Sequence, residues 1–163
     1  MSSLNPRWQN LFRPKANHIS EITEMWMATP LFNKIKQREC RELVKTMHPR
    51  HYKKGEMVFN SGDIGASIVL ILNGSIEVIA ADKLLAELIA GDFFGEVALV
   101  IDEPRTADAI ACEDSELIFF LRSDLEEWVK RSPRNGAQFM LNIAIILAAR
   151  LRHTNILLSL QND

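Results

Sequence analysis

What this sequence has little of already narrows its chemistry. Only two cysteines occur, Cys40 and Cys112, and they form neither a CxxC pair nor a cysteine–histidine cluster with metal-ligand spacing. A disulfide scaffold and a zinc module are thereby excluded, and two free thiols fit a reducing, cytoplasmic setting. The four histidines, His18, His48, His51 and His153, show no HxH or HExxH spacing. A cupin-like metalloenzyme needs several barrel histidines and a carboxylate around one metal, so no metal and no catalysis of that kind are expected. Neither a GxSxG elbow nor a Walker-type loop is present. The first residues carry no apolar stretch behind a basic one, so no secretory signal is expected. The longest uncharged run, residues 135–149, is shorter than the ~18 residues of a membrane span and includes Asn135, Gly136, Gln138 and Asn142. No membrane association is expected from it.

What is present fits one globular domain. The chain has 163 residues, of which 47% are hydrophobic and 25% charged, which excludes a disordered or collagen-like chain. Net charge is -2, so the chain as a whole is no polycation for DNA or anionic lipid. That average hides a partition. Residues 1–60 carry +6, residues 61–127 carry -12 and residues 128–163 carry +4.

Three regimes follow along the chain: a helical segment over 1–48, a β-rich segment over 49–122, and C-terminal helices over 123–163. Ile19, Ile22, Met25 and Trp26 recur at helical spacing, Pro30 interrupts, and Ile35, Leu43, Val44 and Met47 continue a second amphipathic stretch up to Pro49. Short β-rich runs broken by glycine, asparagine and aspartate follow, which predicts an antiparallel β jelly roll. SIVLIL and SIEVIA flank Asn73-Gly74, so a two-residue type I′ hairpin is expected there. Ser123 with Glu126 has the spacing of a capping box, and Ser132-Pro133 opens a helix running to about Leu160. On that last helix Ala137, Leu141, Ala144, Ala148, Leu151, Asn155 and Leu158 make a heptad seam that suits a homodimer. Phe139, Ile143 and Ile146 lie on another face and are expected to pack on the barrel.

Chemistry concentrates in GDFFGEVALVIDEPRTADA, residues 91–109. Gly91 and Gly95 permit tight backbone, and Glu96 to Val100 can form one helical turn whose first N–H groups suit an anion. Arg105 adds a planar fork of donors matched to two phosphate oxygens. It is the only cation between Lys83 and Arg122, set in the acidic block. One arginine there is poorly matched to a triphosphate or a nucleic-acid backbone, and well matched to a small monoanion.

FGEVAL followed by PRTA resembles the phosphate-binding cassette of cyclic nucleotide-binding domains. The likeness extends from KKGEMVFNSGD through ILNGSIEV to LIFFLRSDLEEWV, covering roughly residues 30–155. The resemblance implies a β jelly roll with C-terminal lid or dimer helices, and a regulatory ligand, cAMP or cGMP, that undergoes no reaction. It implies that Glu96 accepts from the ribose 2′-hydroxyl. Arg105 would clamp the phosphate with backbone groups near Gly95, Val97, Ala98 and Ala107, and Thr106 would reach the phosphate and a guanine amino group. Ile76 and Leu88 are the candidate apolar wall under the purine. Bacterial activators of this type continue into a helix-turn-helix, whereas this sequence stops at Asp163 with no basic recognition helix to propose, so DNA is not an expected partner. Output would pass to an unidentified effector protein.

Two positions depart from the family pattern. Ala66 stands where a second loop acid is common, and Asp108 stands where threonine, serine or tryptophan is commoner. Asp108 is expected near the purine side, where its charge would alter base preference or weaken binding. Asp108 and the acidic surroundings favour the alternative reading, an interaction module that keeps the fold without the ligand and binds a partner through its last helix or basic N-terminal segment.

Overall fold

The structure is a computed structural model that describes residues 16–160. Helix α1 (Ala16–Met27) leads through a short 3₁₀ turn at Pro30–Phe32 into α2 (Gln37–Val44). The part of the expected N-terminal helical segment before residue 16 lies outside the described residues. The second amphipathic stretch is shorter than expected: Ile35 and Met47 are buried in the turns flanking α2. Pro49 lies inside strand β1 (His48–Tyr52), which pairs on one side only. An edge strand is where a residue without an N–H is tolerated. Buried in α2, Cys40 has its thiol pushed up to about 12, so it stays protonated and inert at neutral pH.

Strands β2 (Met57–Phe59), β3 (Ser67–Asn73), β4 (Ser75–Ala80), β5 (Lys83–Ile89), β6 (Phe93–Phe94), β7 (Asp108–Ala111) and β8 (Ser115–Leu121) complete two four-stranded antiparallel sheets. Their orders are β1-β8-β3-β6 and β2-β7-β4-β5. The one-turn helix α3 (Val97–Val100) lies between β6 and β7, and α4 (Arg122–Arg131) and α5 (Pro133–Leu160) follow β8.

Alternation along β3 and β8 explains how one sheet supports two cores. Val69, Ile71, Leu117 and Phe119 point between the sheets and meet Ile76, Phe94, Ala109 and Ala111. The intervening Ile68, Leu70, Ile118 and Phe120 point outward to Trp26, Phe32, Leu125, Trp128 and Phe139 of the helices. Successive side chains on a strand face opposite ways, so both sets stay apolar only because helices cover the outer face.

Two local expectations are corrected. Strands β3 and β4 do not pair: they belong to opposite sheets, and Asn73-Gly74 is the corner between them. Only Gly74 has positive φ, +90°, and a Cβ there would stand 2.2 Å from Ser115 Oγ. Close approach, rather than a type I′ turn, requires that glycine. The two-residue hairpin joins β4 to β5 instead, through Ala81 (φ 48°) and Asp82 (φ 59°), with Ala80 opposite Lys83. The capping box at Ser123 does not form either. Helix α4 begins two residues earlier than that cap requires, with Leu121 at its cap position and no side-chain bond. The Arg122 N–H is already taken by the Ala66 carbonyl at 2.8 Å, which draws the chain into the helix early.

Helix α5 begins at Pro133 and runs to Leu160 as its sequence suggests. Phe139, Ile143 and Ile146 are buried on the domain, while every residue of the heptad seam is exposed. Asn142, nearly fully buried, donates to the carbonyls of Leu31 and Asn33, both at 2.8 Å, and accepts from Gln138 Nε2 at 2.9 Å. These bonds fasten α5 to the N-terminal turn. With its charged residues admitted, α5 holds an 18-residue window of mean hydropathy 1.4, long and apolar enough by composition to cross a membrane, unlike the uncharged run alone. The first half of the helix packs on the domain as just described, but only 6% of that window is buried.

Candidate functional site

Residues 91–109 fold into the expected glycine-rich turn, single helical turn and returning strand, and they form one wall of a cavity of about 780 Å³. The opposite walls are the inner strand β4, the edge strand β5 and the second half of α5.

Gly95 is the tightest point of the cassette. Its φ is +82°, and a Cβ there would stand 2.6 Å from Arg105 Nη1 and 3.1 Å from the Ser67 carbonyl. Gly65 is similar: a Cβ would come within 2.9 Å of the Ala98 Cβ and 3.0 Å of Arg105 Nε. The two glycines therefore leave the space in which the Arg105 guanidinium lies. Arg105 donates from Nη2 to the Ser67 carbonyl at 2.9 Å and lies 4.2 Å from the centre of the Phe59 ring. Burial lowers its pKa from the ordinary value, with the charges of Asp63 and Glu96 acting in the opposite sense. A guanidinium titrates so far above neutrality that it stays cationic.

Glu96 opens α3 and is 3% exposed. A buried carboxylate must be compensated. Here the partner is Arg150 of α5, which donates to Glu96 Oε1 and lies 5.4 Å from the centre of the Phe93 ring. The Ala98 N–H is turned inward, to the Gly95 carbonyl at 3.1 Å.

Of the nine residues singled out from the sequence, Gly95, Glu96, Val97, Ala98, Arg105, Thr106, Ala107 and Leu88 line this one cavity. Ile76 does not. It lies directly opposite Leu88 but fully buried between the sheets, and Val78 and Ala86 stand at the cavity wall near it. Asp108 is also placed differently from expectation. Its Oδ1 accepts from the Ser61 N–H at 2.6 Å, and it does not line the cavity. The position holds a loop in register instead of lining the cavity, which removes one motive for a ligand-free interaction module. Ala66 is exposed and outside the cavity, so the missing loop acid leaves the cavity lining unchanged.

Reading the sequence locally missed Arg150, His153 and Thr154, which reach the cavity from α5 together with Ala149. Their spacing of three and four residues puts them on one helical face, beside the heptad seam rather than on it. That spacing was the available signal. Among the described residues no group of three or more histidine, cysteine, aspartate or glutamate side chains could hold a metal ion.

An antiparallel two-sheet roll with a glycine–glutamate–arginine cassette opening on a half-open cavity defines a ligand-binding β-roll domain. Residues 49–132 match the family model described as "Cyclic nucleotide-binding domain", and the chain belongs to that family. It is 31% identical over 137 residues to the cyclic AMP receptor protein of Thermus thermophilus, covering 81% of this chain and 62% of that protein. It is 32% identical over 81 residues to a cGMP-dependent protein kinase of Plasmodium berghei, covering 50% of this chain and 10% of the kinase. The crystal structure of the Thermus thermophilus catabolite activator protein superimposes with a TM-score of 0.72 at 31% identity, covering 82% of this chain and 63% of that one. This chain thus spans less than two thirds of each of these three relatives, and its kinship is with cyclic nucleotide-binding domains of the cyclic AMP receptor type.

Proposed function

We propose that this chain binds a cyclic purine nucleotide, cAMP or cGMP, in the 780 Å³ cavity and serves as a regulatory module that does no chemistry on it. The observation that carries this reading is that Glu96 and Arg105, nine positions apart in one cassette, face the same cavity with opposite charge. A cyclic phosphodiester brings one negative charge and a ribose hydroxyl. Arg105 holds the former, with backbone groups around Gly95, Val97, Ala98 and Ala107, and Glu96 accepts from the latter. Leu88, joined by Val78, forms the apolar wall under the purine, and Thr106 and Thr154 offer hydroxyls. No metal is needed for this binding.

Arg150 of α5 donates to the same Glu96 carboxylate. An incoming ribose hydroxyl shares that carboxylate, so binding changes what α5 is tied to. The nucleotide shifts the C-terminal helices only by binding one of their arrangements more tightly. The relatives named above include both a cyclic AMP receptor and a cGMP-dependent kinase, so both ligands stay in the reading. Calorimetric titration with each nucleotide, on wild type and Thr106→Ala, tests the base contact. Loss of one hydrogen bond is expected to weaken cGMP by about 5- to 10-fold and cAMP by less. Equal effects on the two would remove Thr106 from base selection.

The exposed seam of α5 supports a homodimer. Leu141 is 54%, Leu151 63% and Leu158 53% exposed, with Asn155 among them. A heptad of this kind gains by burying itself against a second copy. Sedimentation equilibrium of wild type is expected to give a dimer, and Leu151→Glu with Leu158→Glu a monomer; a dimer that survives both substitutions would place the interface elsewhere. The setting is cytoplasmic in this reading, in keeping with two unpaired cysteines, and the signal passes to a separate effector protein.

A further inference from the structure

Three buried polar atoms meet no hydrogen-bond partner among the described residues: His48 Nδ1, Asp124 Oδ2 and Trp128 Nε1. A buried polar group left unpaired is uncommon and costs stability, so each calls for a physical reason. The three belong to the edge strand β1 and to helix α4. His48 is the first residue of β1, and Asp124 and Trp128, four apart, share one face of α4. His48 Nε2 is 3.8 Å from Asp124 Oδ2, near enough for charge to act and too far for a hydrogen bond.

A second pair on the same strand shows what burial adds. His51 Nε2 lies 3.9 Å from Glu116 Oε1, but the His51 side chain is 78% exposed and water screens the pair. The side chains of His48 and Asp124 are each only 23% exposed. Burial raises the Asp124 pKa from its ordinary value, the charge of His48 lowers it and Glu127 of α4 raises it again. The remaining charges nearby are engaged elsewhere. On β8 Glu116 faces His51, on β1 Arg50 lies 5.1 Å from the centre of the Phe119 ring, and on α4 Arg122 is held by Asp102 at 2.9 Å. After α2, Lys45 is held by Glu42 at 2.6 Å. Among the described residues His48 is therefore the one cation that can compensate Asp124.

We propose that His48 and Asp124 form a proton-operated clasp between β1 and α4. With the imidazole protonated, the carboxylate gains its compensating cation and the pair closes to hydrogen-bond distance. With the imidazole neutral, a carboxylate beside Glu127 stays buried without a counter-charge, and the hold of β1 on α4 weakens. An imidazole changes its charge between about pH 5 and 8, which is the working range of the clasp. The closed clasp keeps a proton that the unfolded chain gives up more readily, so its stabilisation is present on the acid side and is lost as pH rises. At still lower pH the raised Asp124 carboxyl takes up a proton itself and the pair is lost again. The stabilisation thus peaks in weakly acidic solution, whether or not the cavity holds a nucleotide.

A double-mutant cycle on the full chain, His48→Gln with Asp124→Asn, read by urea unfolding at about pH 6 and about pH 8.5, measures the coupling of the two groups. The expected coupling is about five- to tenfold in the folding constant at the lower pH and less than about twofold at the higher. The exposed counterpart, His51→Gln with Glu116→Gln, is expected to give less than about twofold at both. A second measurement needs no variant. In wild type the indole N–H resonance of Trp128, one turn along α4 from Asp124, is expected to shift with pH in step with the ring protons of His48. Equal coupling at the two pH values would mark an ordinary packing contact and overturn the clasp. So would coupling below about twofold at the lower pH, or a Trp128 resonance that stays still while His48 titrates.

Discussion

Arg105→Leu is expected to remove most of the nucleotide affinity while leaving the protein folded. The guanidinium is the one cationic fork that the cassette places in the cavity, and the space it occupies is kept open by Gly65 and Gly95. Hydrogen bonds between charged partners contribute about 1.5–3 kcal/mol each. Two of them to a phosphate amount to a loss of about 10²- to 10⁴-fold in affinity. The structural cost is smaller, because all that leucine forfeits within the protein is the bond to the Ser67 carbonyl and the guanidinium's place over the Phe59 ring. Isothermal titration checks the first part and circular dichroism the second. Binding within about threefold of wild type would show that the phosphate lies elsewhere.

Phe139→Ala is expected to have the largest effect on stability. The ring is fully buried and meets Phe32 at 5.3 Å, Trp128 at 5.8 Å and Phe120 at 6.0 Å between centroids, all edge-on. These contacts join the N-terminal turn, α4 and the outer face of the barrel to α5. Truncating a buried phenylalanine costs about 3–5 kcal/mol, a large share of the ~5–15 kcal/mol that holds a typical domain together. The expected fall in Tm is about 10 °C or more in a chain of this length. Leu151→Ala, on the 63%-exposed part of the same helix, is the control and is expected to cost less than about 0.5 kcal/mol in the monomer. If the two variants melt together, α5 is not anchored where the structure puts it. The same anchor holds Arg150, His153 and Thr154 over the cavity, so Phe139→Ala also weakens nucleotide binding.

The cassette could be read from sequence because its working residues are contiguous. Gly95, Glu96 and Arg105 sit within eleven positions, and their chemistry is shared between a turn and a strand that local pattern describes well. The barrel was legible for a similar reason, since alternation and turn residues are local signals. Long-range partnership was not. Arg150 lies 54 residues from Glu96, in the basic C-terminal block, and only the fold brings it to the acidic centre. The charge partition along the chain, which pointed to a site with one cation, is therefore partly cancelled in space. Asn73-Gly74 misled for a related reason. The dipeptide suits a type I′ turn, but the choice between a hairpin and a corner is made by which sheet the next strand joins. Here Ser115, pressed against Gly74, marks the corner. Asp108 misled because its strand position fixed its neighbourhood but not its hydrogen-bond partner, the Ser61 N–H.

The central claim is that this domain holds a cyclic nucleotide, and the most direct test is thermal unfolding of the wild-type chain in the presence of cAMP and, separately, cGMP. Ligand at 100 times its dissociation constant adds about 2.7 kcal/mol to the folded state, or about 5–10 °C in Tm for a domain of this size. A rise of that order with at least one of the two, absent with 5′-AMP and 5′-GMP, is the predicted result. An unchanged Tm with both cyclic nucleotides at millimolar concentration would contradict the account.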